Sequence, residues 1–199
     1  MVIEESGMQF EFPDNRTTVK FDEELFYRNC FNKFPESKGV DFITDGKDLI
    51  AFIEVKNCRG HEGDNRWRIA PNNQKRDTAH TAHDVSGRDS LDIEVAQKVA
   101  MTLAALCGAY SFGDRKDSLG KLRKIAAEIS GERFAQTGKK KLIILVLEGD
   151  FGTHTRPKTA IMSELQRNII IMSKVQWLDC RVSVVDSDTY WEKVFRIND

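Results

Sequence analysis

Gly39-Val40-Asp41-Phe42-Ile43-Thr44-Asp45-Gly46-Lys47-Asp48-Leu49-Ile50-Ala51-Phe52-Ile53-Glu54-Val55-Lys56 is the stretch whose reading decides the fold. Val40 to Thr44 and Leu49 to Lys56 are β-prone runs on either side of the turn residues Asp45-Gly46-Lys47-Asp48, which predicts an antiparallel hairpin. Side chains alternate along a strand, so Glu54 and Lys56 share a face. A turn centred on Gly46-Lys47 sets Asp41 opposite Phe52 and diagonal to Glu54, with Cβ atoms roughly 7–8 Å apart. Two carboxylates at that separation can hold a hard cation such as Mg²⁺, which takes oxygen ligands and keeps several waters. A bound metal makes water easier to deprotonate and steadies a developing phosphate charge. Lys56 beside the pair would orient or deprotonate that water, or neutralise the oxyanion. The set suits phosphodiester hydrolysis.

Upstream, Met8 to Phe12 and Thr17 to Phe21 flank Pro13-Asp14-Asn15-Arg16, which predicts an N-terminal hairpin over about 8–21. Asp22 to Phe34 reads as a helix with Asp22 as N-cap. On its wheel Phe26, Tyr27, Cys30, Phe31 and Phe34 share one face, with Glu23 near the centre and Glu24 at the edge. A carboxylate directed inward needs a partner, and a metal site would supply one. Downstream, Asn57 to Arg88 is polar without periodicity and reads as a long loop. Helices are expected over Ser90–Tyr110, Ser118–Ile129 and Ala160–Met172, with a short final one over Tyr190–Phe195. Leu142 to Leu147 has the unbroken apolar character of a central strand buried on both faces, and Val182 to Val185 is another strand. The expected product is one α/β domain over 1–199, a mixed sheet covered by helices.

An Asp opening one strand and Glu-x-Lys ending the next resembles the PD-(D/E)XK nuclease superfamily, with its restriction-endonuclease-like fold. The motif spans Asp41 to Lys56, and the element order extends the resemblance over most of Asp22 to Val185. A second Glu-x-Lys, Glu36-Ser37-Lys38, lacks an apolar strand before it. The resemblance implies cleavage of nucleic acid with Mg²⁺ or Mn²⁺. Asp41 and Glu54 would bind the metal, Lys56 would assist the attacking water, and Glu23 or its neighbour Glu24 would complete the catalytic set from the first helix. Some members add a Gln or Lys from the helix after the motif. Gln97 and Lys98 lie on that helix but off its apolar face. Val40 stands where the family usually has Pro. The strand usual between first helix and Asp has only Pro35 to Gly39 here, so it is either lost or replaced by the N-terminal hairpin. The implied substrate is DNA, in repair, junction cutting or defence, with targeting by a homodimer or a partner protein. The alternative is a nuclease-fold module that binds nucleic acid or protein without cutting.

Composition frames these readings. The 199 residues suit one domain, and 40% apolar with 31% charged content argues against disorder and coiled coil. A net charge of -1 excludes a uniformly basic binder and leaves room for a local basic groove. Arg59, Arg66, Arg68, Lys75 and Arg76 in the polar loop are the candidate phosphate contacts, and Trp67 could stack on an unpaired base. Cys58-x2-His61 and His80-x2-His83 have zinc-compatible spacing but match no common zinc module. Lys121, Arg123, Lys124 and Lys139 to Lys141 form either a DNA-facing rim or a solvated face. Glu148, Asp150, Asp186 and Asp188 are further acids at strand ends or in loops. The cysteines are scattered, which suits a reduced, cytoplasmic compartment. The longest apolar run is too short to span a bilayer, so no membrane partner is expected.

Overall fold

A computed structural model of the chain describes residues 1–70, 89–115, 119–131, 138–171 and 174–198. The elements are β1 (Val2–Glu5), β2 (Met8–Glu11), β3 (Thr17–Lys20), α1 (Leu25–Asn29), β4 (Phe42–Asp45), β5 (Leu49–Asn57), α2 (Glu62–Ile69), α3 (Leu91–Phe112), α4 (Gly120–Ser130), β6 (Lys140–Glu148), α5 (Lys158–Ile171), β7 (Cys180–Val185) and β8 (Arg196–Asn198). Five strands form a mixed sheet in the order β3-β4-β5-β6-β7, antiparallel up to β5 and parallel from there. The remaining strands form a small antiparallel sheet, β1-β2-β8. The fold is therefore mixed α/β, with helices flanking the five-stranded sheet.

Strand alternation assigns the two faces. Ile43, Phe52, Ile143, Leu145 and Val184 pack with Val95, Val99, Leu106, Leu122 and Leu165 of α3, α4 and α5. Phe42, Ile53, Ile144 and Val146 pack instead against the small sheet, through Met8, Phe10, Phe12, Phe195 and Ile197. The Phe10 and Phe12 rings each lie 5.3 Å from that of Phe42, within the range of favourable aromatic contact. Burying each such ring contributes about 1.5–3 kcal/mol. The middle strand β6 is buried from Leu142 to Glu148, as its unbroken apolar run requires. The second face is thus covered by a sheet, where helices were expected.

The N-terminal expectations fail in an instructive way. β2 and β3 do not pair with each other. β2 joins β1 through Ser6-Gly7, both at positive φ (52° and 75°), the signature of a tight two-residue hairpin turn. β3 crosses to the other sheet and becomes its edge, pairing with β4. It thereby fills the edge position for which the chain had no strand after the first helix. Asp22 to Phe34 is not one helix either. It breaks into a 3-10 turn at Phe21–Glu23, the five-residue α1, and a second turn at Phe31–Lys33. Phe21 is fully buried against Gly39, where an added Cβ would lie 2.8 Å from its ring, and this anchorage takes precedence over continuous helix.

Three further differences lie downstream. Residues 62–69 of the expected loop form α2; residues 71–88 lie outside the description. Tyr190 to Phe195 is a turn that delivers β8 to the small sheet, where a final helix was expected. α3 is long and apolar enough to cross a membrane by length and composition alone. A core helix of a globular protein passes the same test, and α3 buries Asp92, Val95, Val99, Thr102 and Leu106.

Candidate functional site

The β4–β5 register puts Phe42 across from Ile53, so Asp41, one residue earlier, lies across from Glu54. The backbone bond from Asp41 N to Ile53 O (3.1 Å) continues the ladder to that point. The expected partner was Phe52, so the register differs by two residues. The loop is longer than a two-residue turn because Arg16 fills its inside. The Arg16 guanidinium donates to Thr44 O (3.0 Å) and Leu49 O (3.1 Å) and lies where a Cβ on Gly46 would clash. A shift of two keeps the parity, so Asp41 and Glu54 stay on the helix face.

Around this pair the charges are dense. Glu54 is fully buried (0%), and its Oε1 accepts Lys56 Nζ at 2.7 Å and Lys98 Nζ at 2.6 Å. Its Oε2 is buried without a hydrogen-bond partner. Asp41 accepts the Val55 N–H through Oδ2 (2.6 Å), and Lys98 lies 3.8 Å from Oδ1. Burial, then the neighbouring Glu54 charge, pushes the Asp41 carboxyl up to about 7. Lys56 also reaches Glu94 of α3 at 2.9 Å. Burial alone would lower the Lys56 amine, but its pairing with Glu54 and Glu94 outweighs that and holds it above its ordinary value. Lys56 is therefore a cation and hydrogen-bond donor here, which favours orienting water and neutralising charge over taking a proton. Glu94 is partly buried, which alone would raise its carboxyl, yet Lys56 and Arg68 bring it down to about 2.

The chain's first acid region contributes differently from the expectation. Glu23 is half-exposed and pairs with Lys20 (3.0 Å) on the surface. Glu24 precedes α1 at its N-cap, and burial raises its carboxyl. Of the acids in this region, Asp22 is the one that directly follows the residue bonded to the strand that carries Asp41. Phe21 N donates to Asp41 O (2.8 Å), which ties the turn carrying Asp22 to the site. Asp22 Oδ1 is buried without a hydrogen-bond partner, and burial followed by the Glu5 charge raises its carboxyl. Lys98 is among the charges that act on it.

The candidate phosphate contacts divide. Arg68 is buried (2%) and pairs with Glu94, with Nη1 donating to Asn65 Oδ1 (3.0 Å) and Nε to Asp89 O (3.5 Å). It belongs to the interior, and its expected role at the surface is corrected. Arg59, just past the end of β5, pairs with Glu148 Oε2 at the end of the neighbouring β6 (3.1 Å). Arg66 is exposed at the end of α2, while Lys75 and Arg76 lie outside the described residues. Of the zinc-spaced residues, Cys58 is buried, His61 is exposed, and His80 and His83 lie outside the described residues. Of the further acids, Glu148 is fixed by Arg59 and Ser187 N (2.6 Å), and Asp186 by Lys158 (2.6 Å).

A family model described as a family of unknown function, DUF6661, matches residues 24–199. The chain belongs to that family. Comparisons with curated proteins and with solved structures give no match. The DUF6661 span contains Asp41, Glu54, Lys56, Glu94 and Lys98, and begins after β1 to β3 and Asp22.

Sequence reasoning missed Glu94 and Asp22 and undervalued Lys98. Glu94 and Lys98 are four residues apart on α3, so they share a face. That spacing was a usable signal once α3 was placed over the hairpin. Among the described residues no group of three or more His, Cys, Asp or Glu stands in metal-binding geometry. The donors that fit a hard cation are Asp41 and Glu54, since a buried carboxylate oxygen without a partner is costly and a cation removes that cost.

Proposed function

We propose that this DUF6661 protein is a Mg²⁺- or Mn²⁺-dependent nuclease with a restriction-endonuclease-like core, acting on DNA. The observation that carries the reading is the Asp41–Glu54 pair, with Glu54 Oε2 buried and unpartnered beside an Asp41 whose ion pair with Lys98 is long, at 3.8 Å. The order hairpin, helix, parallel strand, helix, strand over β4 to β7 supports it. Asp41 and Glu54 would hold the metal, which when bound lowers the pKa of its water and stabilises charge on the scissile phosphate. Lys56 supplies a proton donor and a fixed positive charge beside the reacting phosphate. Lys98 and Glu94 are positioning residues: Lys98 holds Glu54 Oε1 and Glu94 holds Lys56.

The test compares wild type, Glu54→Gln and Lys56→Ala on supercoiled, linear, single-stranded and branched DNA and on RNA, with Mg²⁺, Mn²⁺ or EDTA. Metal-dependent cleavage by wild type that both variants lose is expected. Cleavage that persists in both variants, or folded wild type that neither cuts nor binds Mn²⁺, would sink the reading. The second reading, a non-cutting binding module, draws on the two lysines that already occupy Glu54 Oε1. It predicts that folded wild type binds no Mn²⁺, which calorimetric titration decides.

A further inference from the structure

A second charged region lies at the opposite end of the sheet and on its opposite face. A cavity of about 460 Å³ opens between the β4–β5 loop, the start of β6, β7 and the turn before β8. Lys47, Asp48, Lys139, Lys140, Arg181 and Trp191 line it. Lys47, Lys140 and Arg181 are exposed, and the Trp191 indole is 42% exposed. Lys139 is committed to Asp45 (2.5 Å) and Glu128 (3.1 Å), and Asp48 is the sole acid among the described residues of the lining. From Leu49, on the cavity wall, to Glu54 is five residues along β5, or about 17 Å. The cavity is thus separate from the acid pair.

Its composition is selective. An indole at the rim of a cavity offers a flat apolar face on which another ring can stack. Three exposed cations beside that ring, against one acid, attract an anion. A ligand that satisfies both carries a flat aromatic ring and a phosphate on one short linkage, and the volume is that of a small-molecule site. We propose that this cavity binds a nucleotide unit, its base stacked on Trp191 and its phosphate held by Lys47, Lys140 and Arg181. The unit is either a free nucleotide or one residue of an unpaired strand. The inference stands apart from the nuclease reading and needs no metal.

The test is run in EDTA, where metal-dependent cutting cannot occur. Binding of a short fluorescein-labelled oligothymidylate is followed by anisotropy, with thymidine diphosphate and polyglutamate as competitors. Trp191→Ala is expected to weaken oligothymidylate binding roughly fivefold to a hundredfold. Trp191→Phe should restore most of it, and Trp177→Ala, at a Trp 86% exposed outside the cavity, should leave it unchanged. The double variant Lys140→Gln/Arg181→Gln should lower the salt slope of log K by up to about 0.7, the share of one phosphate on a single strand. Competition by thymidine diphosphate would identify a free-nucleotide site, and its failure to compete alongside Trp191-dependent strand binding would identify a strand contact. Binding indifferent to Trp191, or polyglutamate competing as well as the oligonucleotide, would overturn the proposal. Thermal melts of each variant confirm the fold, and the substituted side chains are exposed.

Discussion

Arg68 was read from the sequence as a surface phosphate contact and lies instead in the interior, so its replacement separates two accounts of the same residue. In the structure its guanidinium is 2% exposed and pairs with Glu94, with further bonds to Asn65 and the Asp89 carbonyl. Arg68→Met keeps the volume and the apolar stem while removing the charge. Breaking a buried ion pair by deleting one partner costs about 3–5 kcal/mol, since the other charge stays behind. Glu94 retains Lys56 at 2.9 Å, so its charge is still partly compensated and the lower end, about 3 kcal/mol, applies. For a domain of this size that is a fall in Tm of about 6–12 °C. Urea titration should show the midpoint moving with an unchanged m value, because the exposed surface on unfolding is the same. In a Glu94→Gln background the same substitution should cost at least about 1 kcal/mol less, since the two residues touch. A loss below about 1 kcal/mol in the wild-type background would refute the reasoning. It would mean that the guanidinium is solvated and its contact with Glu94 is incidental.

Other outcomes follow from the same charges. The Glu94 carboxyl sits at about 2, against 4.5 ordinarily, so it stabilises the fold above about pH 4.5, and that stability is lost as pH falls towards 2. The loss amounts to about 3 kcal/mol over that window, and urea midpoints measured down to about pH 3 should fall more gently for Glu94→Gln than for wild type. Mn²⁺ at about a hundred times its Kd should stabilise wild type by about 2.7 kcal/mol in thermal melts; Asp41→Asn and Glu54→Gln should abolish that gain, and a gain that survives both would place the metal elsewhere. Asp22→Asn should cut metal-dependent cleavage roughly 10–100-fold, as loss of a supporting group beside a metal site does. Glu23→Gln, on the surface, should leave the rate near wild type, and the reverse ranking in a cleavage time course would restore Glu23 as the assisting acid.

What could be read from the sequence followed from periodicity. The hairpin over 40–56, the helix from Ser90, the buried strand at 142–147 and the strand at 182–185 depend on local alternation or on long apolar faces, and each appears in place. Asp41, Glu54 and Lys56 come together because strand parity survives a register shift of two. Contacts between distant segments were not legible. β3 leaves its apparent partner β2 because β4 offers an edge in the main sheet, while β2 is claimed by β8, nearly the whole chain away. The helix over 22–34 fails because Phe21 is pinned under Gly39 by tertiary packing that no local propensity reports. Arg68 has the sequence context of a solvated loop, and only the approach of α2 to α3 gives it Glu94.

The pairing pattern around the hairpin also accounts for why the proposed cation is assigned to the acid pair, of all the charged groups in the cluster. Three carboxylates, Asp41, Glu54 and Glu94, face three cations, Lys56, Lys98 and Arg68, so a count of charges alone would balance. The contacts do not share that balance equally. Glu94 takes Lys56 and Arg68, and Glu54 takes Lys56 and Lys98 through one oxygen. Asp41 is left with Lys98 at 3.8 Å and one backbone N–H, and Asp22, on the turn bonded to Asp41 O, carries another buried, unpartnered oxygen under the influence of the same Lys98. The shortage of positive charge is therefore local to Asp41 and the free oxygen of Glu54. A monovalent side chain cannot correct it without leaving another acid unpaired, whereas a divalent ion adds charge at that point and leaves the lysine pairs on Oε1 intact.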